Sequence, residues 1–164
     1  MAGTVAITVE DYLKTPYEWE PEYVHGELIE RPMPNKIHAK LTGLLARRLP
    51  EAIGLYVEFR MRLAYDVFRI PDLALFVDEP DEIPKSPPLA TIEIMSPDDR
   101  FPEVIQKCEE YRKWGVPNIW VIEPRSRKFF VYTAGLSERD RFELPDFGFD
   151  ITAESLFAKV FTGQ

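Results

Sequence analysis

Residues Ala90–Pro97 read ATIEIMSP, an apolar, β-prone run with a carboxylate at its centre and a proline that stops it. Side chains alternate between the two faces of a strand. Ile92 and Ile94 therefore point one way, and Thr91, Glu93 and Met95 the other. Apolar residues on both sides mark a strand covered on both faces. That places Glu93 inside the protein, where an ionised carboxylate is paired, protonated or bound to a metal. Asp72 repeats the anomaly. It follows Pro71 and opens the apolar run Ile70–Val77 (IPDLALFV), sharing a face with Ala74 and Phe76. A chain with two such acids folds around them.

The remaining elements follow from periodicity and punctuation. Thr8 caps a short N-terminal helix with Glu10 and Asp11 in its first turn, ending before Pro16. YVHGELIE reads as a tight hairpin turning at His25-Gly26. Asn35 caps a helix over 36–52, with Leu41, Leu45, Leu49 and Ala52 as its apolar stripe and Gly54 closing it. Residues 55–66 form one strand and Ile70–Val77 the next, with Pro71 at its start. The acidic, proline-rich stretch 78–88 is an exposed loop. After ATIEIMS, Pro102 opens a helix to Trp114 that Gly115 ends. Asn118–Pro124 and Lys128–Ala134 are paired strands, Arg141–Leu144 is an edge strand, and Thr152 caps a last helix with Leu156 and Phe157 inward. This order gives a single mixed α/β domain over 1–164, its helices packed on a central sheet and preceded by an N-terminal helix and hairpin.

Composition bounds the function. The net charge of −8 makes any nucleic-acid contact a local one. No run reaches the roughly 18 apolar residues of a membrane span. Residues 1–10 lack the basic start and long apolar stretch of a signal peptide. The single cysteine, Cys108, has no internal disulfide partner, which suits the cytoplasm.

Neighbouring strands lie about 4.8 Å apart. If the strands of Asp72 and Glu93 adjoin, the two carboxylates can hold one hard cation, and Mg2+ suits oxygen ligands best. The alternative is a turn-capping Asp72 and a Glu93 paired with an arginine. On the helix after Glu93, Val104, Cys108 and Tyr111 share the sheet-facing side. Lys107 lies at its rim, where it either reaches back toward Glu93 or snorkels into water. Glu27, directly after Gly26, and His38, beside the stripe of its helix, are further candidates. Their alternatives are a solvated hairpin glutamate and a hydrogen-bonded core histidine. Lys36, Lys40, Arg47 and Arg48 give the second helix a basic side, and Arg60, Arg62 and Arg69 flank the Asp72 strand. Such cations position phosphates rather than read bases.

The series YVHGELIERP, His38, RIPDLALF, IEIMSPDD and KCEEYRKWGVPNIWVIEP covers nearly the whole chain. In order and spacing it resembles the PD-(D/E)XK nuclease superfamily. It is closest to a bacterial restriction-endonuclease-like branch of uncharacterised function. The resemblance implies a mixed central sheet flanked by helices, with the active site where two central strands diverge. It implies Asp72 and Glu93 as metal ligands, with the Ile94 carbonyl as a third, for one or two Mg2+ (or Mn2+) ions. The superfamily lysine stands two residues after the acid. Here that position is Met95 and cannot do a cation's work; Lys107 is the match in this branch. Glu27 corresponds to the early acid near the metal, and His38 to a position commonly histidine.

The reading that follows is a metal-dependent endonuclease hydrolysing DNA phosphodiesters, acting as a homodimer. The competing reading is a nuclease-fold module without cleavage, serving as a dimeric regulatory or assembly subunit, with the aromatics of DRFELPDFGFD as a partner surface. A two-carboxylate glycosidase needs a long sugar cleft, of which the sequence gives no sign.

Overall fold

Glu93 stands on β7 (Ala90–Ile94), a strand buried at every residue, and the architecture is easiest to follow outward from it. A computed structural model describes residues 6–162; the rest of the 1–164 span, including the start of the stretch tested for a signal peptide, lies outside the described residues. β7 pairs antiparallel with β6 (Leu73–Phe76) and parallel with β8 (Asn118–Glu123). Further out lie β3 (Gly54–Val57) beside β6, and β9 (Lys128–Tyr132) and β10 (Leu136–Arg139) beyond β8. The six-stranded order is β10-β9-β8-β7-β6-β3, with β7–β8 as its parallel pair. A parallel pair needs a crossover, and the helix α3 (Phe101–Trp114) supplies it.

Strand alternation divides the core between the two faces. Leu73, Leu75, Ile92, Ile94, Trp120 and Ile122 pack on one side. They meet α2 (Lys36–Arg48) through Leu41 and Leu45, and α4 (Ala153–Val160) through Leu156 and Phe157. The two-stranded sheet of β11 (Arg141–Leu144) and β12 (Phe149–Thr152) adds Phe142 and Phe149, and Trp120 stacks on Phe142 at 4.6 Å. The other face carries Ala74, Phe76, Met95, Ile119 and Val121 against Val104, Cys108 and Tyr111 of α3. Glu93 belongs to this second face by alternation.

A second sheet, β2-β1-β5-β4, joins the hairpin strands β1 (Glu22–Val24) and β2 (Glu27–Ile29) to β5 (Val67–Arg69) and β4 (Met61–Ala64). The hairpin turns on two left-handed residues, His25 (φ 50) and Gly26 (φ 91), the backbone pattern that tight hairpins require. α1 (Val9–Lys14), capped by Thr8, covers this sheet with Tyr12 against Tyr23 and Phe68. The chain passes from one sheet to the other between β5 and β6, at Ile70-Pro71-Asp72. Pro71 has no N–H to lose where the ladder breaks.

The expected fold class stands, with local corrections. α2 ends at Arg48 rather than Ala52, because Pro50 follows, and Gly54 starts β3 instead of capping the helix. The single strand expected over 55–66 is two strands in different sheets. The break contains Glu58 at φ 51, in the left-handed region. Asp72 precedes its strand rather than lying in it. β5, β10 and β12 were not expected.

Candidate active site

The sheet-to-sheet switch builds the site. β6 and β7 pair with Leu73 opposite Ile92, so continuing that register one step sets Asp72 opposite Glu93. Asp72 Oδ2 accepts the Ile94 amide N–H at 2.6 Å, fixing its carboxylate against the end of β7. His38 of α2 meets the other oxygen, with Nε2 2.9 Å from Asp72 Oδ1. Burial works against a charged imidazole, but the contact with Asp72 outweighs it and raises the His38 pKa. His38 thus fixes the orientation of the Asp72 carboxylate.

Glu93 is 7% exposed. Its Oε1 accepts a hydrogen bond from the Tyr111 hydroxyl at 2.7 Å and lies 3.0 Å from Lys107 Nζ. Burial pushes the Glu93 carboxyl up and Lys107 opposes it, but Asp72 and Glu22 add to the rise, which brings it to about 7. Lys107 also lies 2.8 Å from Glu22 Oε1. Desolvation disfavours the Lys107 ammonium, yet Glu22, Glu93 and Asp72 together hold its pKa above the ordinary lysine value. These carboxylates favour the ammonium form of Lys107.

Glu22, on β1, is a central residue that the sequence reading missed. It is 2% exposed and takes Lys107, the Ile70 amide at 2.9 Å and Arg69 at 3.1 Å. Burial alone would raise its pKa; Lys107 and Arg69 outweigh burial and hold it below the usual value. The hairpin register pairs Glu22 with Ile29 and Val24 with Glu27. Glu27 therefore shares the face of Glu22 but sits at the turn end, where it is exposed and outside the cleft lining. The acid that the hairpin brings to the site is Glu22, whose carboxylate meets Lys107 of α3 and the Ile70 amide, whereas Glu27 lies exposed beside the turn. The signal for it was a carboxylate beside Tyr23 and Val24 in a β-prone arm.

The residues line a cleft of about 830 Å3 that includes Glu22, His38, Asp72, Glu93, Ile94 and Lys107. The expected phosphate-binding cations mostly lie elsewhere. Arg69 lines the cleft, but its side chain is buried, forked onto Glu110 at 2.6 and 3.0 Å and paired with Glu22. Arg60 pairs with Glu20 and lies over the Tyr12 ring at 5.2 Å. Arg62 donates to the Tyr65 carbonyl and stacks on Phe68 at 5.1 Å, and neither Arg60 nor Arg62 lines the cleft. Lys40 donates to the Val160 carbonyl at 3.2 Å, a favourable place for a cation at a helix C-terminus. Lys36 is exposed between Asn35 and Ile37, two cleft residues. Cations that the sequence reading overlooked, Arg31, Arg125 and Arg127, do line the cleft. They sit in loops with no periodicity to mark them.

The site also tests whether a divalent cation suits it. Among the described residues no group of three or more His, Cys, Asp or Glu side chains converges as a metal cage. A cation here would rest on Asp72, Glu93, the Ile94 carbonyl and water. That sparse oxygen set suits Mg2+, which keeps several waters and takes one or two carboxylates. Charge agrees: Glu22 and Glu93 both pair with the one Lys107 ammonium, and burial, with Asp72 and Glu22 adding to it, pushes Glu93 up to about 7.

A family model described as "Uma2: Putative restriction endonuclease" matches residues 9–157. The chain is also similar to a crystal structure described as a "putative nuclease belonging to DUF820" from Anabaena variabilis ATCC 29413. Identity is 25% and the TM-score 0.77, covering 94% of this chain and 99% of that one. No curated protein matches.

Proposed function

The chain belongs to the Uma2 family, described as "Putative restriction endonuclease", and from that premise we propose that it hydrolyses phosphodiester bonds of DNA with a divalent cation, Mg2+ or Mn2+. The family's description and the fold shared with a protein described as a "putative nuclease" support this reading. The observation that carries the finer reading is that Asp72, from the segment before β6, Glu93 of β7 and Lys107 of α3 line one cleft.

Asp72, Glu93 and the Ile94 carbonyl would hold the cation. When bound it supplies Lewis acidity and offsets charge on the attacked phosphate. The chain's own groups do the rest. His38 and the Ile94 amide fix Asp72, and Tyr111 fixes Glu93. Lys107, held protonated, faces the site as a preorganised positive charge for the phosphorane oxygens that gain charge in the transition state. Glu22 restrains that ammonium from the far side, with Arg69 and Glu110 bracing Glu22 and the loop at Ile70.

Nicking of supercoiled plasmid in Mg2+ or Mn2+ tests the proposal. Asp72→Ala and Glu93→Gln should abolish it while leaving the fold intact. Purified chain that binds neither metal nor DNA would overturn it. One observation favours the second reading, a nuclease-fold module that binds without cutting: Met95 stands where the superfamily lysine acts, and Lys107 is divided between two carboxylates. DNA binding with no turnover in any divalent metal would select that reading, and light scattering would show whether the chain then acts as a homodimer.

A further inference from the structure

We propose that DNA enters this cleft as a single strand, its bases seated on an apolar wall centred on Met33 and Phe101. The inference rests on the nuclease reading and specifies its substrate. Its starting point is the depth of the acids. Glu93 is 7% exposed, and the Lys107 side chain 16%. A phosphate that reaches them must leave the surface and bring its neighbouring bases into the cleft, which a stacked and paired duplex resists.

The cleft is built to receive bases. Of the eight exposed large apolar side chains among the described residues, Met33, Phe101 and Ile29 line it. Met33 is the more exposed of the first two, at 68% against 41% for Phe101. Pro32 and Pro34 flank Met33 and stiffen the backbone that presents it. Phe101 packs against Phe130 in a T-shaped contact, 5.9 Å between centroids at 79°, which holds the ring while leaving much of it open. Exposed apolar surface gathered beside a polar reaction centre marks a binding wall rather than a solvated face.

The cations point the same way. Arg127 lies over the Phe161 ring at 4.3 Å, and Arg31 over Trp19 at 4.7 Å. Both arginines and Phe161 line the cleft. Arginines set over rings and open aromatic faces are parts from which single-strand platforms are made. Tracking a duplex instead calls for a long row of cations on phosphates. Arg60, Arg62 and Arg69 are engaged within the protein, and the chain carries a net charge of −8.

The test is fluorescence anisotropy of the full chain with a short fluorescein-labelled oligodeoxynucleotide, alone or annealed to its complement, with Ca2+ replacing Mg2+. The single strand should bind about ten-fold tighter or more, and Phe101→Ala should weaken it on the order of ten-fold with circular dichroism unchanged. Phe101→Trp should keep the affinity, and Met33→Ala supplies a second, independent probe of the wall. Duplex binding as tight as single-strand binding overturns this inference and leaves the nuclease reading standing. So does single-strand affinity unmoved by both Phe101→Ala and Met33→Ala. If neither form binds, both readings fall.

Discussion

Lys107 Nζ lies 3.0 Å from Glu93 Oε1, although one residue belongs to α3 and the other to β7, the strand that α3 leads away from. The contact exists because α3 is the crossover between two parallel strands and must pack back on the sheet it leaves. Its buried face, Val104, Cys108 and Tyr111, rests on the same side of the sheet as Glu93. Lys107, at the edge of that face, is left pointing at the carboxylate. A cation absent from the strand is thereby supplied by the helix.

Removing that ammonium leaves buried Glu93 with only the Tyr111 hydroxyl and Glu22 with only Arg69 and the Ile70 amide. Breaking one side of a buried ion pair costs about 3–5 kcal/mol. Lys107→Met should therefore lower stability by that order in urea denaturation, with Glu93 drawn further toward its protonated form. In cleavage assays corrected for folded fraction, turnover should fall roughly 100-fold or more, the usual effect of deleting a preorganised charge donor.

His38 touches Asp72 and acts through it. His38→Ala should weaken Mn2+ binding about 10- to 100-fold, as loss of an orienting partner does. The measurement is calorimetric titration of Mn2+ into both proteins. His38→Gln, which keeps a donor, should recover part of the affinity; a purely packing role for His38 would give no such difference.

Arg69 is a structural clamp rather than a DNA contact. Its planar fork spans Glu110 and Glu22, a geometry that lysine cannot reproduce. Arg69→Lys should lower the thermal midpoint clearly. Its salt dependence of DNA binding should match that of the parent protein, because no phosphate contact has been removed.

Acid stability should carry the mark of Glu109. Arg112 and the Tyr132 hydroxyl hold its carboxyl down to about 2, from an ordinary value of 4.5. A depressed carboxylate stabilises the fold at pH values above its unfolded pKa, and that contribution is lost as pH falls through the folded one. The stability difference between parent and Glu109→Gln should be constant near neutrality and shrink between pH 4.5 and about 2. Urea midpoints measured across that range check it.

Much of this was legible in the sequence, for identifiable reasons. Strand alternation placed Glu93 on the α3 face, helical periodicity placed Lys107 beside it, and Asn35, Thr8 and Thr152 cap their helices as expected. Glu22 escaped because its burial is tertiary: it follows from β1 pairing with β5, which no local pattern reveals. Glu27 was chosen in its place from the correct face of the hairpin at the wrong end. Arg69 carries the same charge in the sequence whether it faces a phosphate or forks onto Glu110. Only the fold shows which, and the same holds for Arg31 and Arg127, whose place in the cleft depends on loops.

The central claim is that Asp72 and Glu93 share one divalent cation. Calorimetric titration of Mn2+ into the parent protein, Asp72→Asn and Glu93→Gln tests it directly. The account predicts saturable binding to the parent and a loss of about ten-fold or more in affinity for each variant, of the size seen when groups that define a metal site are altered. Binding of unchanged affinity in both variants, or none to the folded parent, would contradict it.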